Sequence, residues 1–238
     1  MLNPSQSRQS CICCTFYPFC KTDAKNLHAA DQVNLTVKRL RRLKRNEILC
    51  LPKKPFQNLY AIQSGALKAY QVEADGKERI RGFYFAGEVF GYEAIYTGNY
   101  LFTTVALSET VICENPYDNF LALISSQPTL QKHILYLLSQ QLNIGSYLAA
   151  TTAEQQIAGF LLDLSARLYA SGTPLEFSPP MSRQDMGNYL RLTPETISRI
   201  FSLLQKNKII AAVNKTIRML QPEKLQQIAD GLLSIQVA

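Results

Sequence analysis

The sequence has few of the groups that enzymes most often use for proton transfer. It contains only two histidines, His28 and His133, among 238 residues. It also lacks a glycine-rich loop that could hold a phosphate and shows no obvious acid–base pair of side chains. We therefore predict that the chain is not an enzyme.

Long apolar runs are also missing. No stretch approaches the roughly 18 consecutive apolar residues that argue for a membrane span. The first ten residues, MLNPSQSRQS, are polar and lack the apolar core of a secretory signal. We expect a cytoplasmic protein without a membrane partner, in which structural disulfides are not a favoured use of cysteine.

The formal net charge of +7 is unevenly distributed along the chain. Much of the basic excess lies in KRLRRLKR, which runs from Lys38 to Arg45. Leu40 and Leu43 within this run fit a helix that buries a thin apolar stripe and exposes its other residues. Net charge alone is therefore weak evidence for nucleic-acid binding.

The middle of the chain has the pattern of a β-sheet protein. From about Glu47 to Pro116, short β-branched and aromatic runs alternate with glycines. Asp75-Gly76 is a strong hairpin signal between two alternating segments. This spacing predicts an antiparallel sandwich or roll without intervening helices.

A long helix with two apolar edges is predicted over residues 127–151. No acidic residue lies between Gln127 and Thr151, so little charge repulsion would oppose pairing of two such helices. We expect one edge to pack on the roll and the other to meet the same helix of a second copy, which gives a homodimer. A helix buried within one monomer is the alternative. One edge consists of Leu135, Leu138, Leu142, Gly145 and Ala149, and the other of Ile134, Leu137, Ile144 and Leu148.

The stretch MSRQDMGNYLRLTPETISRIFSLLQKNKII predicts two helices joined by a tight turn. Ser182 and Asp185 resemble a capping box for the first helix, and Thr193 followed by Pro194 begins the second. Helical spacing then divides the second helix into two faces. The predicted buried face consists of Ile197, Ile200, Phe201 and Leu204.

The outer face of the second helix carries Glu195, Ser198 and Arg199 near its N-terminus. In a helix-turn-helix, residues at this place reach base edges in the major groove. Arginine can pair bidentately with guanine, and glutamate can accept a hydrogen bond from cytosine. We therefore predict that these three residues contact double-stranded DNA. An ordinary helical hairpin with a solvated face is the alternative.

Downstream, IIAAVNKTIRML predicts a β-hairpin that turns near Asn214-Lys215. Such a hairpin would form a wing beside the two helices. We expect its Lys215 and Arg218 to meet phosphates.

This order of elements and the segment LTPETISRIFSLLQ resemble those of a bacterial transcription factor superfamily. It is the superfamily of the cyclic AMP receptor and the fumarate-nitrate reduction regulator (CRP/FNR). The resemblance covers essentially the whole chain and implies an α+β fold. A cysteine-rich segment over 1–46 would precede a β-roll of the cyclic-nucleotide-binding, jelly-roll type over 47–126. The dimerisation helix over 127–151 and a winged helix-turn-helix over 152–238 would follow.

The resemblance also implies an operator. The pattern E-x-x-S-R at Glu195, Ser198 and Arg199 is similar to the one with which the FNR branch reads its half-site. It implies a two-fold palindromic site of the type TTGAT, four spacer bases, ATCAA. Activation or repression would then follow from where the bound dimer meets RNA polymerase.

The FNR branch gives the cysteines an expected role. Cys11, Cys14 and Cys20 form C-x2-C-x5-C, and Cys113 follows 93 residues later (113 − 20 = 93), the ligand separation expected in that branch. The resemblance implies that these four thiolates hold an oxygen-labile 4Fe-4S cluster that controls dimerisation and operator binding. Cys50 stands alone in a strand-like context and is predicted to be a small buried apolar residue.

Other uses of the thiols stay open. Four thiolates could hold zinc, and reactive thiols could instead form a redox disulfide. Cys13 neighbours Cys14 and could replace it as a ligand. The competing functions are a CRP/FNR regulator that senses nitric oxide or thiol redox without a cluster, and an iron–sulfur redox protein.

Cyclic AMP binding is not expected. The cyclic-nucleotide branch grips the ligand phosphate with a Gly-Glu pair and, about ten residues later, an Arg-Ser dipeptide. Here Gly87 and Glu88 are followed by NYLFTTVA, and no arginine lies between Arg81 and Arg167.

The chain departs from the FNR pattern between Ser139 and Thr152. There it is about one helical turn shorter than the best-known member and lacks acidic residues that would repel across a dimer seam. We hypothesise that its dimer depends less on the cluster than is usual for the branch.

Overall fold

The computed structural model describes residues 39–143, 146–168 and 175–235. The chain divides into two compact units after Gln140. The first unit consists of two antiparallel sheets and helices, and the second is helical with a small sheet. This architecture confirms the predicted α+β fold class with an N-terminal roll.

Two four-stranded sheets, with strand orders β1-β8-β3-β6 and β2-β7-β4-β5, form the roll. All their strand pairs are antiparallel. The predicted hairpin signal is confirmed, because Gly76 lies in the turn between β4 and β5 with a φ of 81°. The strands are β1 (Arg39–Leu43), β2 (Ile48–Cys50), β3 (Asn58–Ser64), β4 (Ala66–Val72), β5 (Glu78–Phe85), β6 (Val89–Phe90), β7 (Thr103–Ala106) and β8 (Thr110–Pro116).

The helix predicted from the Lys38–Arg45 run is wrong, because Arg39–Leu43 form strand β1 along β8. Leu43 is fully buried, whereas Leu40 is 53% exposed, so these leucines do not share one helical stripe. The backbone ladder with β8 and the burial of Leu43 outweigh the weak local helical pattern. Strand β1 also lies N-terminal to residue 47, where the roll was predicted to begin.

The space between the two sheets is filled by an aromatic core. Tyr100 is central to it, since its hydroxyl donates to the Asn58 carbonyl oxygen at 2.9 Å and its ring stacks on Phe90 at 6.4 Å. Cys50 is 5% exposed in this core, and burial raises the pKa of its thiol to about 12. The prediction that Cys50 is a small buried residue is therefore confirmed.

A second apolar cluster lies on the opposite face of the sheet that contains β8. Alternation along this strand sends Ile112 into the roll and Cys113 to the outer face. Helices α1 (Tyr117–Ser126) and α2 (Pro128–Asn143) cover that face. The cluster consists of Leu59, Ala61, Val89, Cys113, Phe120, Leu123, Leu130 and Ile134.

Helix α2 is shorter than predicted, because it ends at Asn143 and a separate 3-10 turn spans Ser146–Ala149. The single helix predicted over residues 127–151 is therefore wrong at its C-terminal end. The two-edge pattern is present within α2. Ile134 is buried on the roll, whereas Leu142 is 87% exposed.

The second unit has four helices and a three-stranded sheet among its described residues. Asn214, with a φ of 56°, lies in the turn between the last two strands, which confirms the predicted hairpin. The first strand of this sheet was not predicted. The elements are α3 (Ala153–Leu168), β9 (Glu176–Phe177), α4 (Arg183–Leu190), α5 (Pro194–Lys206), β10 (Ile210–Val213), β11 (Thr216–Met219) and α6 (Pro222–Ala229).

None of the helices in the described ranges combines the length and apolarity that crossing a lipid bilayer requires.

Two glycines with similar backbone conformations allow a test of packing in the roll. Gly65 has a φ of 87°, and a Cβ there would lie 2.5 Å from the Glu109 carbonyl oxygen. Gly76 has a φ of 81° and no atom near its Cβ position. Gly76→Ala should lower the free energy of unfolding by about 1 kcal/mol through backbone strain alone. Gly65→Ala should cost about 1 to 3 kcal/mol more because of the overlap. Urea unfolding followed by circular dichroism measures both, and equal losses would contradict the steric argument.

Candidate nucleic-acid interface and thiol site

The first helix of the predicted pair begins with a complete capping box. The Ser182 hydroxyl accepts from the Asp185 amide at 3.0 Å, and the Asp185 carboxylate accepts from the Ser182 amide at 3.1 Å. These two bonds satisfy backbone donors that the first turn of a helix leaves without partners. The sequence prediction of this helix start is confirmed.

The turn between α4 and α5 depends on a glycine. A Cβ at Gly187 would lie 2.8 Å from the Leu192 carbonyl oxygen, so the chain could not pass this closely with a larger residue. The Leu192 amide donates back to the Gly187 carbonyl at 2.9 Å. Thr193 then caps α5 by accepting from the Thr196 amide at 3.2 Å, and Pro194 occupies the first turn as predicted.

The inner face of α5 is buried as its spacing predicted, and the two helices of the pair are also joined by a cation–π contact. The Arg183 guanidinium lies over the Phe201 ring at 3.7 Å from its centre. Burial lowers the pKa of Arg183, which nevertheless stays charged at neutral pH. Nothing in the spacing of either helix signals this contact, because it joins residues on two different elements. The buried face is Ile197, Ile200, Phe201 and Leu204.

The outer face of α5 presents Glu195, Ser198 and Arg199 to solvent near the helix N-terminus. The structure therefore brings the three predicted DNA-contacting residues onto one exposed face. The Glu195 backbone amide and the Thr193 hydroxyl lower the pKa of the Glu195 carboxyl, so this group is an acceptor at neutral pH. An acceptor, a hydroxyl and a guanidinium at this spacing have the chemistry for direct reading of base edges.

In the wing, Arg218 forms an ion pair with Glu176. The Arg218 Nε donates to Glu176 Oε2 at 2.7 Å, since β9 places Glu176 directly opposite Arg218 on β11. Lys215 is exposed at the tip of the hairpin. Sequence reasoning missed Glu176 because a two-residue strand has too short a pattern to be detected.

Among the predicted cluster ligands, the structure describes Cys113, whereas Cys11, Cys14 and Cys20 lie outside the described residues, as does Cys13. Cys113 is 6% exposed and lies opposite Leu40 on β1 and Ala61 on β3. No group of three metal-binding side chains occurs within the described ranges.

The structure describes both Glu88 and the stretch NYLFTTVA, on which the expectation about cyclic AMP depends. The Glu88 carboxylate accepts from the Phe85 amide at 3.1 Å and so closes its own turn. In the stretch NYLFTTVA, Thr103–Ala106 form β7, and Thr103 and Thr104 are buried.

Comparison with protein families assigns the two units separately. A cyclic nucleotide-binding domain model matches residues 40–127. A Crp-like helix-turn-helix domain model matches residues 155–228. Among solved structures, FixK2 from Bradyrhizobium japonicum shares the fold, with a TM-score of 0.70 and 24% identity over 80% of this chain and 96% of that one.

Curated relatives match nearly the full chain. The transcriptional activator protein Anr of Pseudomonas protegens is 34% identical over 232 residues, which is 95% of either chain. The fumarate and nitrate reduction regulatory protein of Escherichia coli K12 is 32% identical over 224 residues, or 92% of this chain and 90% of that one. Because the helix-turn-helix model and these full-length relatives agree with the observed fold, the chain belongs to the FNR branch of the CRP/FNR superfamily of DNA-binding transcriptional regulators.

Proposed function

We propose that the protein regulates transcription in response to oxygen, through a 4Fe-4S cluster that controls dimerisation and operator binding. The observation that carries this proposal is the place of Cys113. Its side chain packs in one cluster with Leu130 and Ile134 of α2, the helix whose other edge is exposed. A bond formed at this thiol would therefore act directly on the base of the helix that pairs two copies.

The thiols present fit such a cluster. Cys11, Cys14, Cys20 and Cys113 would hold it, and when bound it would supply an oxygen-labile redox centre. Strand β1 begins at Arg39, and its Leu40 is the direct neighbour of Cys113. Cys20 lies twenty positions before Leu40 (40 − 20 = 20), a stretch that can reach up to about 70 Å when extended. Chain length thus lets the three N-terminal thiols approach the fourth.

Packing places Cys113 against the buried edge of α2. Leu130 is fully buried and Ile134 nearly so, and both lie on the edge that contacts the sheet around Cys113. Interiors are close-packed, so a shift of this edge turns or moves the whole helix. The exposed edge, which includes Leu135 and Leu142, would then pair differently with a second copy.

Pairing matters because each copy reads only half of a palindrome. Two recognition helices must lie about one DNA turn apart to contact both halves at once. We infer a site of the type TTGAT, four spacer bases, ATCAA, read by Glu195, Ser198 and Arg199. RNA polymerase would be the partner that the bound dimer contacts.

The roll itself would not take cyclic AMP. Between the sheets, the rings of Tyr60, Phe90 and Tyr100 occupy the interior. A buried phosphate would also find no arginine between Arg81 and Arg167 of the sequence.

Two separate cysteine-to-serine variants test whether Cys113 is a cluster ligand. Cys113→Ser, purified without oxygen, should lose most of its iron and its visible cluster absorption. Its affinity for the palindrome should fall at least about tenfold, because a monomer reads only half of the site. Cys50→Ser is the matched control, since Cys50 is buried in the same unit but faces the other core, and it should keep its iron.

Iron analysis, visible and Mössbauer spectra and DNA binding together give the readout. Full iron content with undiminished operator binding in Cys113→Ser would falsify the proposal. An iron-free protein that contains zinc would do the same.

The exposed edge of α2 predicts the dimer interface. Leu142→Glu should raise the dissociation constant of the dimer by about tenfold or more, because pairing would bury an uncompensated charge. Leu232→Glu changes a similarly exposed leucine that lies after α6, outside α2, and should leave dimerisation unaltered. Sedimentation at micromolar concentration measures both variants.

Sedimentation of cluster-free protein tests whether two copies pair through α2 without the cluster. We expect a detectable fraction of dimer, since α2 carries no acidic residue that would repel a second copy. A purely monomeric species would contradict the hypothesis of reduced cluster dependence.

Arg199→Ala should weaken binding to the palindrome by about 1 to 3 kcal/mol and relax the preference at one guanine position. Lys224→Ala removes one exposed positive charge from α6 instead and should change specific binding little. Titration of specific and random DNA at fixed salt separates the two roles. Equal losses of Arg199→Ala on both DNAs would mean that Arg199 contacts only phosphate.

A further inference from the structure

Tyr147 connects the segment that follows α2 to the body of the DNA-binding unit. It lies in the 3-10 turn Ser146–Ala149, between α2 and α3. Its ring packs edge-on against Phe160 of α3 at 5.8 Å and against Tyr189 of α4 at 6.4 Å. Phe160 and Tyr189 are themselves 5.9 Å apart, so three rings from three elements form one cluster.

The close approach of this tyrosine to α3 requires a glycine. A Cβ added at Gly159 would lie 2.6 Å from the Cβ of Tyr147, a distance that real side chains do not tolerate. This Cβ is the first carbon of the tyrosine side chain, so no side-chain rotation can move it away. Alanine at position 159 would therefore push Tyr147 and its turn off the helix.

The polar end of Tyr147 is partly buried and contacts two side chains of the same unit. Its hydroxyl lies 3.4 Å from Asp163 Oδ2 and 3.4 Å from the Tyr189 hydroxyl, at the long end of the hydrogen-bond range. Asp163 is held by Arg167 at 3.1 Å, and this ion pair is largely buried. Burial raises the pKa of Tyr147, so its hydroxyl keeps its proton under all physiological conditions.

The chain after Tyr147 is tied to the same unit by hydrogen bonds. The Ala150 amide donates to the Tyr147 carbonyl at 3.1 Å, and the Gln156 side-chain amide donates to the Ala150 carbonyl at 3.2 Å. The Thr152 amide donates to the Gln155 side chain at 3.0 Å. The segment is therefore fastened along its length rather than at one point.

Through Tyr189 this attachment reaches the recognition helix. Tyr189 belongs to α4, which packs on α5 through the tight turn at Gly187 and through the contact of Arg183 with Phe201. Within the second unit, packing thus links the turn Ser146–Ala149 to the helix that carries Glu195, Ser198 and Arg199.

We propose that Tyr147 is a positioning residue: by locking the turn Ser146–Ala149 onto α3 and α4, it sets the spacing at which a dimer can read two half-sites. This inference rests on the proposed dimeric reading of a palindrome. If this attachment is loose, the helix-turn-helix of each copy still reads a half-site. Holding the helix-turn-helices of both copies on the palindrome at once then costs additional conformational entropy.

The test uses the full chain, purified without oxygen, and three DNAs. These are the palindrome with four spacer bases, the same halves with six spacer bases, and a single half-site. Gly159→Ala should bind the half-site within about twofold of the unaltered protein, but bind the four-base palindrome about tenfold more weakly. Its preference for four over six spacer bases should shrink. Tyr147→Ala, which removes the ring, should behave in the same way.

Matched controls come from the roll. Gly82→Ala adds a Cβ where ordinary van der Waals contact is available, and Tyr96→Ala removes an almost fully exposed ring. Both should keep the affinities and the spacer preference of the unaltered protein. Circular dichroism melting identifies any variant that fails to fold, and the remaining member of the Gly159 and Tyr147 pair then decides.

Three results would contradict either the inference about Tyr147 or the proposed dimeric binding. Unchanged spacer preference in both Gly159→Ala and Tyr147→Ala would overturn the inference. A proportional loss on the half-site and the palindrome would also overturn it, because the residue would then only stabilise the unit. An unaltered protein that binds half-site and palindrome equally well would instead refute the proposed dimeric reading itself.

Discussion

The alternation of side chains along strand β8 determines what the rest of the structure can do. Ile112 points into the roll and Cys113 points beneath helices α1 and α2, so one strand contributes to two separate cores. A slip of one residue in the register with β1 and β3 would exchange these two side chains. The thiol would then be sealed within the roll, as Cys50 is, and could not influence the packing of α2.

The two units solve different physical problems with different kinds of contact. The roll gains its stability from long-range pairing and an aromatic interior, whereas the helix-turn-helix is specified by short-range features. Ser182 with Asp185 and Thr193 with Pro194 begin its two helices, and Gly187 sets their turn. Such a unit presents its outer face at a fixed place, which recognition of a DNA groove requires.

What could be predicted from the sequence follows the same division. Caps, helical spacing and the Asn214 turn depend on neighbouring residues, so the helix pair and the wing hairpin were predicted correctly. Strand β1 was misread as a helix because its partner, β8, lies some seventy residues away, and local periodicity contains nothing about that pairing. The contacts of Arg218 with Glu176 and of Tyr147 with Tyr189 join positions 42 residues apart, so the spacing of residues along a helix or strand does not signal them. The placement of Glu195, Ser198 and Arg199 on one face could be predicted from a single helix, whereas the proposed thiol site depends on the folded sheet.

The ion pair between Glu176 and Arg218 has a consequence for the DNA binding proposed above. A carboxylate beside the guanidinium weakens the positive field of the hairpin, so fewer counterions would be displaced if the wing approached a phosphate backbone. Attraction to arbitrary sequence would then decline more than attraction through base contacts, which would depend on other residues. Because the many non-specific sites of a genome compete for each molecule, this partial neutralisation would favour occupancy of specific sites.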